Sequence, residues 1–100
     1  MEGLSGDARR VERRAVALPT TIRARGYHGS DVLIRDISEL GFMAETHEPF
    51  PRGAYVRLKL PGAGIAMARI IWSRRGQVGG EFVNALPTAR LRLAMGLTAA

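Results

Sequence analysis

The chain contains no cysteine. That absence excludes a disulfide scaffold, thiolate metal ligands and a thiol nucleophile together. Aromatic residues are few, 6% of 100, and scattered, so no platform for stacking a run of nucleic-acid bases is visible. No apolar run approaches the ~20 residues of a helical membrane span, so no membrane insertion is expected. Residues 1–14 lack the apolar stretch of a secretory signal, and the expected location is the cytoplasm. Lysine is almost missing: Lys59 stands alone. A chain of this length forms one domain that buries somewhat under ~70% of its unfolded surface, enough to fold but with little stability to spare.

Arginine fills the place that lysine leaves. It supplies 14 of the 15 basic residues, and the net charge is +6. A positive chain attracts anionic partners. The planar guanidinium grips a phosphate or a guanine edge through two parallel bonds, where an ammonium is a point charge. An arginine-rich genome would produce the same bias, so the positions of the arginines must decide.

From Ala15 onward, short apolar runs are broken by glycine and proline, the pattern of an all-β domain. Val16, Leu18, Ile22 and Ala24 predict a first strand, with Pro19 marking it as an edge or a bulged strand. Gly26 to Gly29 predict a turn, and Val32 to Ile37 a second strand. Gly41 to Ala44 predict a third, followed by a loop from Thr46 to Gly53 that holds Pro49 and Pro51. Val56, Leu58 and Leu60 alternate with Tyr55, Arg57 and Lys59, a period of two that buries one face of a fourth strand. Ile65 to Ser73 and Val78 to Val83 complete the set. Pro87, with Leu91 and Met95 four apart and Leu93 and Leu97 likewise, predicts a short terminal helix. Six short strands in succession predict a barrel or a sandwich. The expected organisation is a flexible lead over 1–8, a β-barrel domain over 9–86, and a helix and tail over 87–100.

Two clusters carry chemistry. Arg9, Arg10, Arg13 and Arg14 stand just before the first strand and contain two pairs at a spacing of four: Arg10 with Arg14, and Arg9 with Arg13. Such a pair can set two guanidinium forks on one small anion. A solvated basic arm would look the same. Asp36, Ser38 and Gly41 lie between the second and third strands. Asp can accept from the Watson–Crick edge of guanine, Ser both donates and accepts, and Gly admits a positive φ or a close approach. The same three residues also make an ordinary turn. Trp72 suits either the barrel rim or a stacking position beside a ligand. His28 and His47 lack the companions a metal site needs.

Taken together, Arg-x-x-x-Arg before the first strand and Asp-x-Ser-x-x-Gly after the second resemble the PilZ domain family. Arg69-Ile70-Ile71-Trp72 is similar to that family's strand ending in Trp, and Val78-Gly79-Gly80-Glu81-Phe82 to its closing strand. The resemblance covers residues 9 to 86. It implies a six-stranded antiparallel β-barrel with a short C-terminal helix that binds cyclic di-GMP, a bacterial second messenger, and passes the signal to a separate effector protein. Carried over, Arg10 and Arg14 are the preferred motif pair, because Arg14 directly precedes the strand. Asp36, Ser38 and Gly41 fill the second motif. Arg9 then precedes the pair, a feature that goes with binding two stacked ligand molecules. In the other register, Arg9 with Arg13, Ala8 stands there and that inference lapses.

Three readings follow: a cyclic di-GMP receptor, a ligand-independent interaction module of the same fold, and a small barrel binding single-stranded nucleic acid. The sparse aromatics argue against the third. No nucleophile with its base, metal ligand set or phosphate loop is visible, so neither an enzyme nor a cofactor is expected.

Overall fold

A computed structural model describes residues 13–24 and 29–96. The expected flexible lead, Arg9, Arg10, His28 and the end of the tail lie outside the described residues. Six strands run in the order β1 (Arg14–Ala24), β2 (Ser30–Ile37), β3 (Gly41–Thr46), β4 (Tyr55–Leu60), β5 (Gly64–Arg74) and β6 (Gln77–Phe82). One helix, α1 (Thr88–Ala94), follows them. The strands close into a barrel with neighbours β1-β2-β3-β6-β5-β4, all antiparallel. The expected six-stranded barrel with a terminal helix is therefore present.

Period-two alternation builds the core. On β4, Val56, Leu58 and Leu60 are buried while Tyr55, Arg57 and Lys59 face out. Across it, β5 buries Ala66, Ala68 and Ile70. Ile22, Ile34, Ile37 and Val78 fill the interior from the other strands. Phe42 and Phe82 meet inside it with ring centroids 5.7 Å apart. The helix lowers Leu91 and Ala94 onto the same cluster. Arg90 fixes it there by donating to the carbonyls of Ala63 (2.8 Å) and Ile65 (2.6 Å), at the β4–β5 turn.

Pro19 does not mark an edge. β1 is paired on both sides, to β2 along most of its length and to β4 through Ile22–Ala24 alone. Pro19 lies before the β4 ladder begins, so its missing N–H breaks no bond on that side. Thr20 Oγ1 bridges to the carbonyl of Lys59 at 2.6 Å. The expected bulge is present, as a register shift between Ala15 and Leu18. Thr46, placed in a loop by the sequence, ends β3 instead and is buried, its hydroxyl accepting from the Glu48 N–H.

Leu58 is fully buried while Met67, on the neighbouring strand, is 44% exposed. Leu58→Ala is expected to lower stability by about 2–5 kcal/mol. Met67→Ala is expected to stay within about 0.5 kcal/mol of the parent. Urea unfolding of the two variants side by side checks both, and equal losses would contradict the inside–outside assignment.

Candidate functional site

Strand alternation fails at two places in the barrel wall, in β2 and in β5, and the failures define a site. In the β2–β3 ladder the register slips between Ile34 and Asp36. Ile34 faces the core, and so does Ile37, three residues on. Unbroken alternation would turn Asp36 inward. The bulge turns it outward, opposite Met43. In the β5–β6 ladder the register slips between Ile70 and Trp72, leaving Ile71 as the extra residue. Val78, Gly80 and Phe82 point into the core, and Gly79 between them lies on the outer face, where the Trp72 indole buries it. Trp72 is the cross-strand partner of Gly79 and faces out with it. β1 keeps its own alternation through the register shift: Ala15 stands opposite Asp36, and Arg14 opposite the core residue Ile37. Arg13 thus falls on the face that carries Asp36, and Arg14 on the opposite one.

The Arg13 guanidinium donates to Asp36 Oδ2 at 2.9 Å. The two residues are 23 positions apart in sequence. Arg13 keeps 68% of its side-chain surface exposed and Asp36 26%. An ion pair this open contributes under about 1 kcal/mol, so either partner can exchange for a ligand at little cost. The pair stands on the rim of a cleft of about 220 Å³ whose walls include Ser38, Met43, Ile71 and Trp72. The Arg74 guanidinium lies 4.9 Å from the Trp72 ring centroid.

Glycines form the floor. A Cβ on Gly79 would overlap the Trp72 indole, and one on Gly80 would strike the Phe42 ring. A Cβ on Gly41 would collide with the Gly80 carbonyl. Gly41 therefore serves the close approach of β3 to β6. The positive φ allowed for it from sequence is not found, since it is absent from the positive-φ glycines of the backbone.

Ser38 is 4% exposed. Its hydroxyl oxygen accepts from the N–H groups of Leu40 (3.1 Å) and Gly41 (3.2 Å), and its own N–H donates to the Gly41 carbonyl at 2.9 Å. It works as the staple of the β2–β3 turn while also lining the cleft. The turn is tied onward. The carbonyls of Leu40 and Glu39 accept from the N–H groups of Phe82 and Leu86, both at 2.8 Å. Glu39 Oε2 accepts from the Thr88 hydroxyl at 2.6 Å.

Of the residues singled out from sequence, Arg13, Asp36, Ser38 and Gly41 come together at one cleft. Arg14 is the first residue of β1. Arg9 and Arg10 lie outside the described residues. Sequence reasoning missed Ile71, Gly79 and Gly80 as walls and floor. The signal was present: paired glycines inside a strand mark a close approach. Among the described residues no group of His, Asp or Glu is arranged to hold a metal ion, and no helix is long and apolar enough to cross a membrane.

No protein-family model matches the chain, and no curated protein matches it in sequence. Among solved structures it is similar to the PilZ domain with c-di-GMP of YcgR from Escherichia coli. The TM-score is 0.59 at 16% identity, covering 88% of this chain and 87% of that one. The chain has the PilZ-type fold.

Replacing Ser38 tests its part in the turn. Ser38→Ala leaves two N–H groups without their acceptor and is expected to cost about 1–3 kcal/mol. An unchanged urea midpoint would show that the hydroxyl does not hold the turn.

Proposed function

We propose that this protein is a receptor for cyclic di-GMP that signals to another protein. One observation carries the reading: a guanidinium and a carboxylate, from segments far apart in sequence, meet at a glycine-floored cleft beside an indole. Guanine offers O6 and N7 to a bidentate arginine. Its N1–H and amino group suit a carboxylate. The fold shared with a PilZ domain solved with c-di-GMP supports the same ligand.

The cleft is smaller than the ~300–1,000 Å³ typical of sites that enclose a whole drug-sized ligand. It suits one base, and residues 9–12 directly precede Arg13 to supply further contacts. In this reading Arg13 is the second motif arginine and Arg9 the first, with Arg10 and Arg14 as neighbours. Ala8 then precedes the pair, and the reason for expecting two ligand molecules lapses. Asp36 holds the guanine edge, Ser38 and Gly41 hold the turn that carries it, and no catalytic step or cofactor is involved. The protein is taken to work in the bacterial cytoplasm, where this messenger is made. Charge-assisted bonds contribute about 1.5–3 kcal/mol each, so a few reach the −8 kcal/mol or so of micromolar affinity after the cost of ordering.

Calorimetric titration with cyclic di-GMP, with GTP and cyclic di-AMP as controls, tests this. Saturable binding of cyclic di-GMP alone is expected, with one molecule per chain. Arg13→Ala and Asp36→Ala should each weaken it by about tenfold or more. Trp72 is the sole tryptophan, so its fluorescence should change on binding in the parent protein. Neither heat nor a thermal shift would leave the ligand-independent interaction module as the reading.

A further inference from the structure

The outer wall of β4 and β5 is unlike the rest of the barrel. Tyr55, Ile65, Met67 and Val83 are 44–57% exposed. Scattered apolar residues on a surface are ordinary, but a contiguous set marks an interaction site. These four are contiguous in register. Tyr55 pairs with Arg69, Arg57 with Met67, and Lys59 with Ile65. On the far side of Met67, the Val83 N–H donates to the Met67 carbonyl at 2.9 Å. Diagonal neighbours on one face of a sheet lie about 7–8 Å apart, which sets Tyr55 next to Met67.

The rim of this patch is cationic. Arg57, Lys59 and Arg69 stand among the apolar residues, and Arg23 faces Arg57 directly across the β1–β4 ladder. Like charges directly opposed across strands are destabilising. Among the described residues, no carboxylate comes within ion-pair distance of Arg23, Arg57, Lys59 or Arg69. The fold thus keeps an uncompensated pair of arginines beside an exposed apolar strip. A second copy of the chain would set these cations against their own kind. A flat anionic membrane would confront Glu81, which faces out opposite Arg69. A protein segment can set apolar side chains on the strip and acidic ones beside Arg23, Arg57 and Lys59 while keeping them away from Glu81, which a uniformly anionic surface cannot.

We propose that the β4–β5 wall is a docking surface for an acidic partner segment. Tyr55, Met67 and Val83 form the apolar seat, and Arg23, Arg57 and Lys59 pair with the partner's carboxylates. The surface does not depend on the ligand assigned above, and its test is run without cyclic di-GMP.

The test is selection of a random peptide library on the immobilised protein. Enriched peptides should combine Asp or Glu with apolar residues. The best of them, titrated by NMR, should shift the amides of β4 and β5. Its affinity should fall about tenfold or more in Met67→Glu and in Arg57→Glu. Both positions are exposed, and a urea midpoint near that of the parent confirms that the variants fold. Peptides without acidic bias, or binding insensitive to both substitutions, would overturn the proposal. So would Met67-dependent binding to phosphatidylglycerol vesicles without peptide binding, which would assign the wall to lipid. A dimer in sedimentation that Met67→Glu abolishes would assign it to a second copy and also overturn it.

Discussion

Two slips in register, in β2 and β5, decide which of the site's side chains face outward, and the site exists because of them. A closed barrel of fully regular strands would carry Asp36 and Trp72 on the inside, two residues from Ile34 and Ile70, which point there without exception. A carboxylate in that interior would need a partner that the apolar core does not supply. The bulges resolve the conflict by inserting one residue each into β2 and β5. β1, whose alternation runs unbroken from Ala24 back to Ala15, already carries Arg13 on the same outer face. Bulges bend and re-aim a strand at the expense of local pairing. Here they bring an aspartate and an indole to the outer wall beside Arg13, where strand alternation alone would not put them.

The glycines of β3 and β6 make that rearrangement possible. The outward indole lies against Gly79, and the Phe42 ring against Gly80. Gly41 brings its strand against the Gly80 carbonyl. A side chain at Gly41 would push the two strands apart, one at Gly79 would displace the indole, and one at Gly80 would displace the Phe42 ring. The Ser38 turn closes the end of the same seam and is itself tied to the residues leading into α1. The site and the barrel's closure therefore share their parts, so several residues of a short ligand motif are also structural residues.

This sharing explains what the sequence revealed and what it hid. Alternation over Tyr55–Leu60 was legible because no bulge interrupts it, and strand and core followed directly. Pro87 at the helix start was legible because its missing N–H costs nothing there. The choice between Arg13 and Arg14 was not, because it turns on which face of the barrel carries Asp36. The extra residue in β2 that sets that face leaves no mark in composition. Trp72 was undecided for the same reason: its side depends on Ile71 being unpaired. Gly41 was legible as a needed glycine but not for its reason, since a close approach depends on a strand nearly forty residues away.

β5 joins the two surfaces of interest. Its C-terminal half supplies Ile71 and Trp72 to the cleft, and its N-terminal half supplies Ile65 and Met67 to the cationic wall. Both lie on the outside of the barrel, so neither requires the packed interior to move. On the proposed reading, a ligand held at the cleft adds its own surface to the outside of the barrel. The Arg13–Asp36 pair suits such an exchange: it is open to water and weak, and it holds the two groups near each other without committing either. A tightly buried pair would resist the ligand by the full cost of separating two desolvated charges. On the proposed reading, the exposure of this pair is what allows one pair of residues to serve both the empty and the occupied site.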